Sequence, residues 1–192
     1  LGDGKVYLEE GKSADIEIRF RHPRSNARCR LDWAVPNDKM PDAQRLMERA
    51  VNDGTKIFII QSADEWSEFI AVNSKAVFKD KFFVGTNWLG GVMFNKPHDI
   101  FKELPVGNAL NWPYQALIHT GVERMGLVME GEELLVGAYH TYPMAIGTAM
   151  GIVPMGKGSV LFSTLDIYGN IINDSAAGLV AKKLIFNMID FK

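Results

Sequence analysis

Two side chains in this sequence are placed where they could act as a nucleophile, Ser62 and Cys29. Ser62 follows the apolar run 56–60, and many α/β enzymes expose a nucleophile where a strand turns into a helix, because backbone N–H groups there stabilise an oxyanion. Such a turn needs glycine on both sides, and none is present. Ser62 and Glu65 instead have the spacing of a capping box, which predicts that Ser62 is a helix N-cap. Two arginines beside Cys29 favour a thiolate, but no helix start follows, which favours a buried or incidental cysteine.

The acidic residues give one candidate for acid or base chemistry. Hydrolysis of a glycosidic bond requires two carboxylates that face each other across the sugar, and most acids here fall in turns or on amphipathic surfaces. Asp166 differs because it ends the apolar run 160–165, at the end of a predicted strand, where open α/β sheets place their sites. No partner acid is evident. A carboxylate that caps the next turn is therefore the favoured interpretation, and no catalytic residue is predicted.

Neither a metal site nor a cofactor is predicted. None of the four histidines has a second histidine, cysteine or carboxylate at the spacing of a metal motif; they are His22, His98, His119 and His140. Because Cys29 is the single cysteine, a cysteine metal cluster and internal disulfides are excluded. The Gly-Lys-Gly segment 156–158 is too short for a phosphate-binding loop and is typical of a hairpin turn.

The segment 87–114 is rich in aromatic and amide side chains. Such side chains suit stacking on sugar rings, and they suit equally an interface with another domain, where Trp and Tyr are enriched. The candidate ligand-binding residues are four from this segment together with Asp166: Trp88, His98, Trp112 and Tyr114. The interface is the favoured interpretation, since exposed aromatics of a domain cut from a larger chain would have faced the rest of that chain.

The periodicity of apolar residues predicts an α/β domain around these candidates. A helical pattern over 43–51, with Pro41 in its first turn and Gly54 as its C-terminal cap, is followed by the apolar strand 56–60 and a helix behind Ser62. This alternation predicts βαβ units and a mostly parallel sheet flanked by helices. The other expected elements are strands at 31–35, 82–84, 92–94, 134–139, 145–153 and 159–165, a helical turn at 100–101 and a final helix over 177–188.

Residues 1–30 are predicted to form a separate, β-rich segment. Ile16, Ile18 and Phe20 alternate with charged residues, as in a half-buried strand, and 22–30 is basic and rich in turn residues. We assign 1–30 to a β-rich N-terminal segment or to the end of a preceding domain, and 31–192 to the α/β domain. The chain begins at a leucine without a signal peptide, which we interpret as a segment cut from a longer protein.

Composition excludes some classes of partner. The chain has 192 residues, 47% of them hydrophobic, which fits one domain with a sizeable core. Its 23 acidic and 21 basic residues give a net charge of -2, so there is no electrostatic case for binding nucleic acid or an anionic membrane. No apolar run approaches the roughly 20 residues that span a bilayer. Composition leaves the cellular compartment open.

Two stretches of the chain resemble a known family. Residues 98–105 read HDIFKELP and 108–115 read NALNWPYQ; they resemble the pattern HPxFxxLP…NxxYQ in C-terminal regions of glycoside hydrolase family 2 proteins. Residues 156–167 and the following helix are similar to the close of the same regions, GKGxVxxSTLDI…AxxLLxN, and Asn187 matches the final asparagine. The resemblance covers roughly 31–192.

The resemblance implies a fold similar to class I glutamine amidotransferases, and to the oligomerisation domains of some β-galactosidases, without the amidotransferase reaction. An active amidotransferase would have cysteine in a glycine-flanked turn after the strand 56–60, where this chain has Gln61 and Ser62. It would have His and Glu after the last strand, where 162–166 reads Phe-Ser-Thr-Leu-Asp. Loss of either group cripples nucleophilic catalysis.

The implied function is that of a non-catalytic accessory domain of a carbohydrate-degrading enzyme, whose catalytic carboxylates would belong to a separate barrel domain. It would pack against the catalytic part or mediate assembly. Its implied partners are the remainder of the parent glycosidase, an oligosaccharide or a second copy, and a periplasmic or secreted location suits such a parent. Two alternatives stay open: a carbohydrate-binding module that uses Trp88, Trp112 and Tyr114, and a small hydrolase that uses Ser62 or Asp166.

Overall fold

The computed structural model describes residues 41–84, 91–107, 109–110, 112–119, 125–141, 144–172 and 174–191. The predicted segment 1–30, with Cys29, and the predicted strand 31–35 lie outside these ranges. The described elements are α1 (Pro41–Asp53), β1 (Lys56–Ile59), α2 (Ala63–Val72), β2 (Val77–Phe83), β3 (Gly91–Asn95), α3 (Gln115–His119), β4 (Met125–Glu130), β5 (Glu133–Thr141), β6 (Met144–Met155), β7 (Gly158–Ser163), α4 (Ile167–Ile171) and α5 (Ala176–Asp190). Two short 3₁₀ helices span Asp99–Phe101 and Trp112–Tyr114.

The first helix and strand form as their sequence predicts. α1 begins at Pro41 and ends before Gly54, whose φ of 79° is the left-handed conformation of a C-terminal glycine. Its apolar face is buried, with Met47 and Ala50 both at 0% exposure. β1 is apolar on both faces because it is covered on both: Ile57 and Ile59 belong to one core cluster, and Phe58 packs against the other.

The sheet is mixed, so the prediction of a mostly parallel sheet is wrong. The strand order is β1-β7-β6-β4-β2, and β5 pairs with both β6 and β3. Among the described pairs, β1–β7 is parallel and all the others are antiparallel. For β5–β6 and β6–β7 the reason is the length of the connections: only 142–143 and 156–157 separate these consecutive strands. A parallel crossover needs about a dozen residues or more.

The sheet curls, and two phenylalanine rings lie over glycines on its strands. Phe82 is opposite Gly126, and Phe94 is opposite Gly137. An ideal Cβ on either glycine would lie within 2.4 Å of the facing ring. The pairing of β5 with β6 also shifts register on both sides of Val136, and such bulges bend a sheet.

A hydrophobic core lies on each side of the sheet. The larger one joins β3, β5 and β6 to α3, α4, α5 and the two 3₁₀ helices. The smaller one lies under α1 and α2, and its buried residues on the sheet come from β1, β4, β6 and β7. Neither β3 nor β5 contributes to this second core among the described residues, so the α1/α2 layer covers only part of its face. The observed class is therefore α/β, with a mixed, curled sheet flanked by helices.

Candidate functional site

The carboxyl ends of β1 and β7 lie side by side, because the two strands are parallel and Ile59 pairs with Phe162. Open α/β sheets carry their ligand sites at this edge. Ser62 immediately precedes α2 beyond the end of β1, and residues 163–166 follow or end β7. This edge is therefore the place where a site typical of the fold would lie.

Ser62 occupies the N-cap position of α2, as predicted, but its side chain makes no capping hydrogen bond. Its backbone is left-handed, with φ 52° and ψ 34°. The first turn is closed by the backbone instead, since the N–H of Glu65 donates to the carbonyl oxygen of Ser62 at 2.9 Å. The capping box that the spacing of these two residues predicts is therefore not formed.

Asp166 is the true side-chain cap at this edge. Its Oδ1 accepts a hydrogen bond from the N–H of Gly169 at 3.0 Å, and Asn170 Nδ2 donates to its backbone oxygen at 2.7 Å. The expected capping role is confirmed. The carboxylate that ends the β7 segment thus starts α4.

The contrast between Ser62 and Asp166 gives a paired prediction. Ser62→Gly should raise the free energy of unfolding by about 0.5–1 kcal/mol, because a Cβ is disfavoured in the left-handed region and no capping bond is lost. Asp166→Ala should lower it by about 1 kcal/mol through loss of the cap. Urea unfolding of the two variants measures both values, and destabilisation by Ser62→Gly would show that the serine hydroxyl stabilises the helix after all.

The hydroxyl groups at the end of β7 are engaged with the backbone. Ser163 is 0% exposed, and its Oγ accepts from the N–H of Leu165 at 3.2 Å. Thr164 Oγ1 lies 2.8 Å from the carbonyl oxygen of Met125 and 3.1 Å from that of Ala149. The Thr164 contacts tie the end of β7 to β4 and β6, and the Ser163 contact holds the turn that follows the strand.

The loop 96–107 after β3 is attached to the domain through polar side chains. His98 is the N-cap of the first 3₁₀ helix, where its Nδ1 accepts from the N–H of Ile100 at 3.2 Å. From α5, Asn187 Nδ2 donates to the carbonyl oxygens of Ile100 and Lys102, both at 2.9 Å. Asn187 is buried, so α5 holds the middle of the loop by hydrogen bonds shielded from water.

A second buried group holds the end of the same loop. The carbonyl oxygen of Pro105 accepts from Tyr114 Oη at 2.7 Å and from Asn95 Nδ2 at 2.8 Å. Tyr114 is 2% exposed, and its ring packs edge-on against Phe101 at a centroid distance of 6.4 Å. The ring has no open face for stacking on a sugar, and its role in this structure is to fill the core and fasten the loop.

An ion pair joins this loop to α5 at the surface. Lys183 Nζ lies 2.6 Å from Glu103 Oε2. The hydrogen bond and charge of Lys183 hold the pKa of Glu103 below its usual value. His98, besides its capping bond, places Nε2 3.8 Å from Glu133 Oε1, and its ring lies 4.9 Å from that of Phe191.

The structure brings His98 and Tyr114 to one loop and puts Asp166 in a separate turn, so these candidates do not form one described site. Trp88 lies outside the described residues, and only the backbone of Trp112 is described. Sequence reasoning missed the loop-holding role of Asn95 and Asn187. The available signal for Asn187 was its position on the C-terminal helix, close to the apolar positions that form the buried face.

The buried hydroxyl of Tyr114 predicts a pH dependence. Burial raises the pKa of Tyr114 to about 12, against about 10 for an exposed tyrosine in the unfolded chain. Between these values the unfolded chain loses the proton first, so this tyrosine's contribution to stability falls as pH rises from about 10 to 12. Tyr114→Phe should lower the free energy of unfolding by about 1–2 kcal/mol at neutral pH, and its deficit relative to the wild type should shrink over that alkaline range. Urea unfolding at several pH values measures this, and a deficit that is constant with pH would contradict it.

Across the ranges that the structure describes, no group of three or more His, Cys, Asp or Glu side chains could hold a metal ion. No helix within those ranges is long and apolar enough to cross a membrane. Comparison of this chain with protein-family models, with curated protein sequences and with solved structures finds no match.

Proposed function

We propose that this chain is a non-catalytic accessory domain of a carbohydrate-degrading enzyme related to glycoside hydrolase family 2, which packs against the catalytic part or mediates assembly. The observation that carries the proposal is the edge formed by the ends of β1 and β7. The three polar side chains between 163 and 166 each have a structural partner: Ser163 and Thr164 bind backbone groups, and Asp166 caps α4. An edge built this way suits a scaffold better than a catalytic site.

We also propose that the domain is a variant of the class I glutamine amidotransferase fold. The parallel pair β1–β7, with α1 and α2 on one face and α5 on the other, supports this relationship. The antiparallel additions β2 to β6 would then be the elements that distinguish this branch. On that proposal, Gln61 and Ser62 stand where the amidotransferase nucleophile would lie, and no cysteine is present there.

The contacts of the family-like residues support a structural use of the motif. Four residues within the resembling stretches meet around one loop: His98 caps its 3₁₀ helix, Phe101 and Tyr114 pack together beneath it, and Asn187 binds its carbonyl oxygens. Residues that hold a loop in place are expected to be kept whether or not the domain has an activity of its own. The motif therefore supports a fold shared with the C-terminal regions of glycoside hydrolase family 2 proteins, and it is no argument for catalysis.

The test is a comparison of two proteins. One is the complete polypeptide encoded by the gene that contains this sequence; the other is the chain of residues 1–192. We expect the complete polypeptide to hydrolyse aryl glycosides and the 192-residue chain to hydrolyse neither aryl glycosides nor glutamine. Glycoside or glutamine hydrolysis by the 192-residue chain, or a complete polypeptide without a glycosidase domain, would refute the proposal.

Calorimetry separates the accessory role from the carbohydrate-binding module. With a panel of plant and host oligosaccharides, the 192-residue chain is expected to give no binding heat, because Tyr114 is buried and Asp166 is engaged in a cap. Saturable heat with any of these sugars would favour the module. Two variants would then locate the sugar site. Tyr139→Ala removes a partly exposed aromatic ring, so it should weaken binding at a surface site. Tyr114→Phe leaves the surface intact, so it should weaken binding only at an internal site.

A further inference from the structure

One face of the outer strands is apolar and uncovered. Val92 of β3, Tyr139 of β5 and Ile146 of β6 are directly paired across the three strands. Because side chains alternate along a strand, Phe94 and Met144 point to the same side as this row. We call these five residues the outer strand face. They lie on the side of the sheet that α1 and α2 cover elsewhere, beyond the end of that helical layer.

The exposure of this face is large, while the opposite side of the same strands is buried. Met144 is 77% exposed, Ile146 64% and Phe94 39%. On the other side, Met93 and Ala138 are at 2% and 0% and belong to the larger core. Strands that are apolar on both faces are typical of sheets covered on both faces. No described element of the chain therefore packs over the outer strand face.

The size and charge of the face indicate what could cover it. Its five members include no charged side chain, and together they expose on the order of 400 Å² of apolar surface, judged from typical side-chain areas. A standard interface buries about 800 Å² on each partner, of which roughly 56–65% is apolar. The face thus supplies most of the apolar centre that one side of a stable dimer needs.

We propose that the outer strand face binds the same face of a second copy of this chain, forming a two-fold symmetric dimer. In a two-fold symmetric contact the same patch of each copy faces the other, so residue i contacts residue j of the second copy and residue j contacts residue i. Because this patch carries no charge, the two copies do not bring like charges together. Two sheets pack face to face with their apolar side chains interdigitated, about 10 Å apart. The inference rests on the assembly role proposed above and specifies the surface that performs it.

The exposed side of α5 offers a matched control. Leu179, Phe186 and Ile189 are 64–65% exposed there. They are interspersed with Lys182 and Lys183, which form ion pairs with Asp174 and Glu103. Two copies of such a surface would bring lysines together, so this side is a poorer centre for a symmetric interface. Phe186→Lys places a charge at an apolar side chain as exposed as Ile146 but outside the proposed contact.

Sedimentation velocity of residues 1–192 tests the proposal over protein concentrations from about 1 to 100 μM. We expect a dimer in the wild type, at least a tenfold weaker dimer in Ile146→Lys, and no change in Phe186→Lys. Met144→Lys provides a second variant, since a side chain that is 77% exposed tolerates lysine without loss of fold. Far-ultraviolet circular dichroism spectra equal to that of the wild type confirm that the variants are folded, because a weaker dimer by itself lowers the urea midpoint.

Two results would overturn the dimer. One is a wild-type chain that stays monomeric over the whole range of protein concentrations. The outer strand face would then be available to bind another part of a larger polypeptide. The other is a dimer that Phe186→Lys dissociates and that Ile146→Lys and Met144→Lys do not. Failure of the proposed function is seen separately, as hydrolytic activity of the 192-residue chain, and does not depend on its oligomeric state.

Discussion

Replacing Asn187 with leucine is expected to lower the free energy of unfolding by about 3 kcal/mol. The carboxamide donates to two carbonyl oxygens, those of Ile100 and Lys102, at 2.9 Å each. Leucine has the same branching as asparagine, so the change creates no cavity and removes the donor from two carbonyl oxygens, one buried and one partly buried. Each such group costs about 1–3 kcal/mol. Urea unfolding followed by circular dichroism measures the loss.

Two further variants show whether the hydrogen bonds are responsible. Asn187→Asp keeps the shape but directs a carboxylate at two carbonyl oxygens, so it should be at least as destabilised at neutral pH and should recover in part when acid protonates it. Asn73→Leu is the matched control: among the described residues, Asn73 Nδ2 donates to a single acceptor, Phe69 O in the same helix end, and the loss should be within about 1 kcal/mol. Equal effects of Asn187→Leu and Asn73→Leu would contradict the loop-holding role.

Replacing Gly156 with alanine is expected to destabilise the protein by about 3 kcal/mol or more, because two separate effects add. Gly156 has a φ of +59° in the turn between β6 and β7, a conformation that a Cβ disfavours. An ideal Cβ there would also lie 2.4 Å from the carbonyl oxygen of Val51 and 2.6 Å from its Cα. Those atoms belong to the backbone of α1, so no side-chain rotation can relieve the contact.

Gly107→Ala separates the two effects. Gly107 has a similar φ of +74°, but nothing lies within 4 Å of a Cβ at that position. Its substitution should cost about 1 kcal/mol, the penalty of the left-handed conformation alone. Thermal and urea unfolding of both variants give the comparison. If Gly107→Ala proves as damaging as Gly156→Ala, the close approach of α1 to the β6–β7 turn has no energetic importance.

The local elements could be predicted because their signals lie within a few residues. Pro41 and Gly54 mark the ends of α1, and the turn 155–158 joins β6 to β7 as predicted. The predicted helical turn at 100–101 and the predicted C-terminal helix are both confirmed. In each case the backbone conformation is set by residues that are neighbours in sequence.

Strand direction and two short helices needed more than local signals. The strand–helix–strand order over 31–60 predicts a parallel sheet, yet connections too short for a crossover make the β5–β6 and β6–β7 pairs antiparallel. The strand β4, with glycine and methionines, and the five-residue helices α3 and α4 carry weak periodicity. Such segments adopt their structure because partner strands and the core select it.

Single residues of the candidate site also differ in whether local sequence or tertiary packing sets their role. Residue identity shows that 163–166 contain neither His nor Glu, and short spacing predicts that Asp166 caps a turn. The burial of Tyr114 beneath a loop, and the hydrogen bonds from Asn187 of α5 to that loop, become visible in the folded structure. These contacts join residues 9 to 87 positions apart, and burial and hydrogen bonding over such separations arise from packing of the whole domain, which local pattern does not encode.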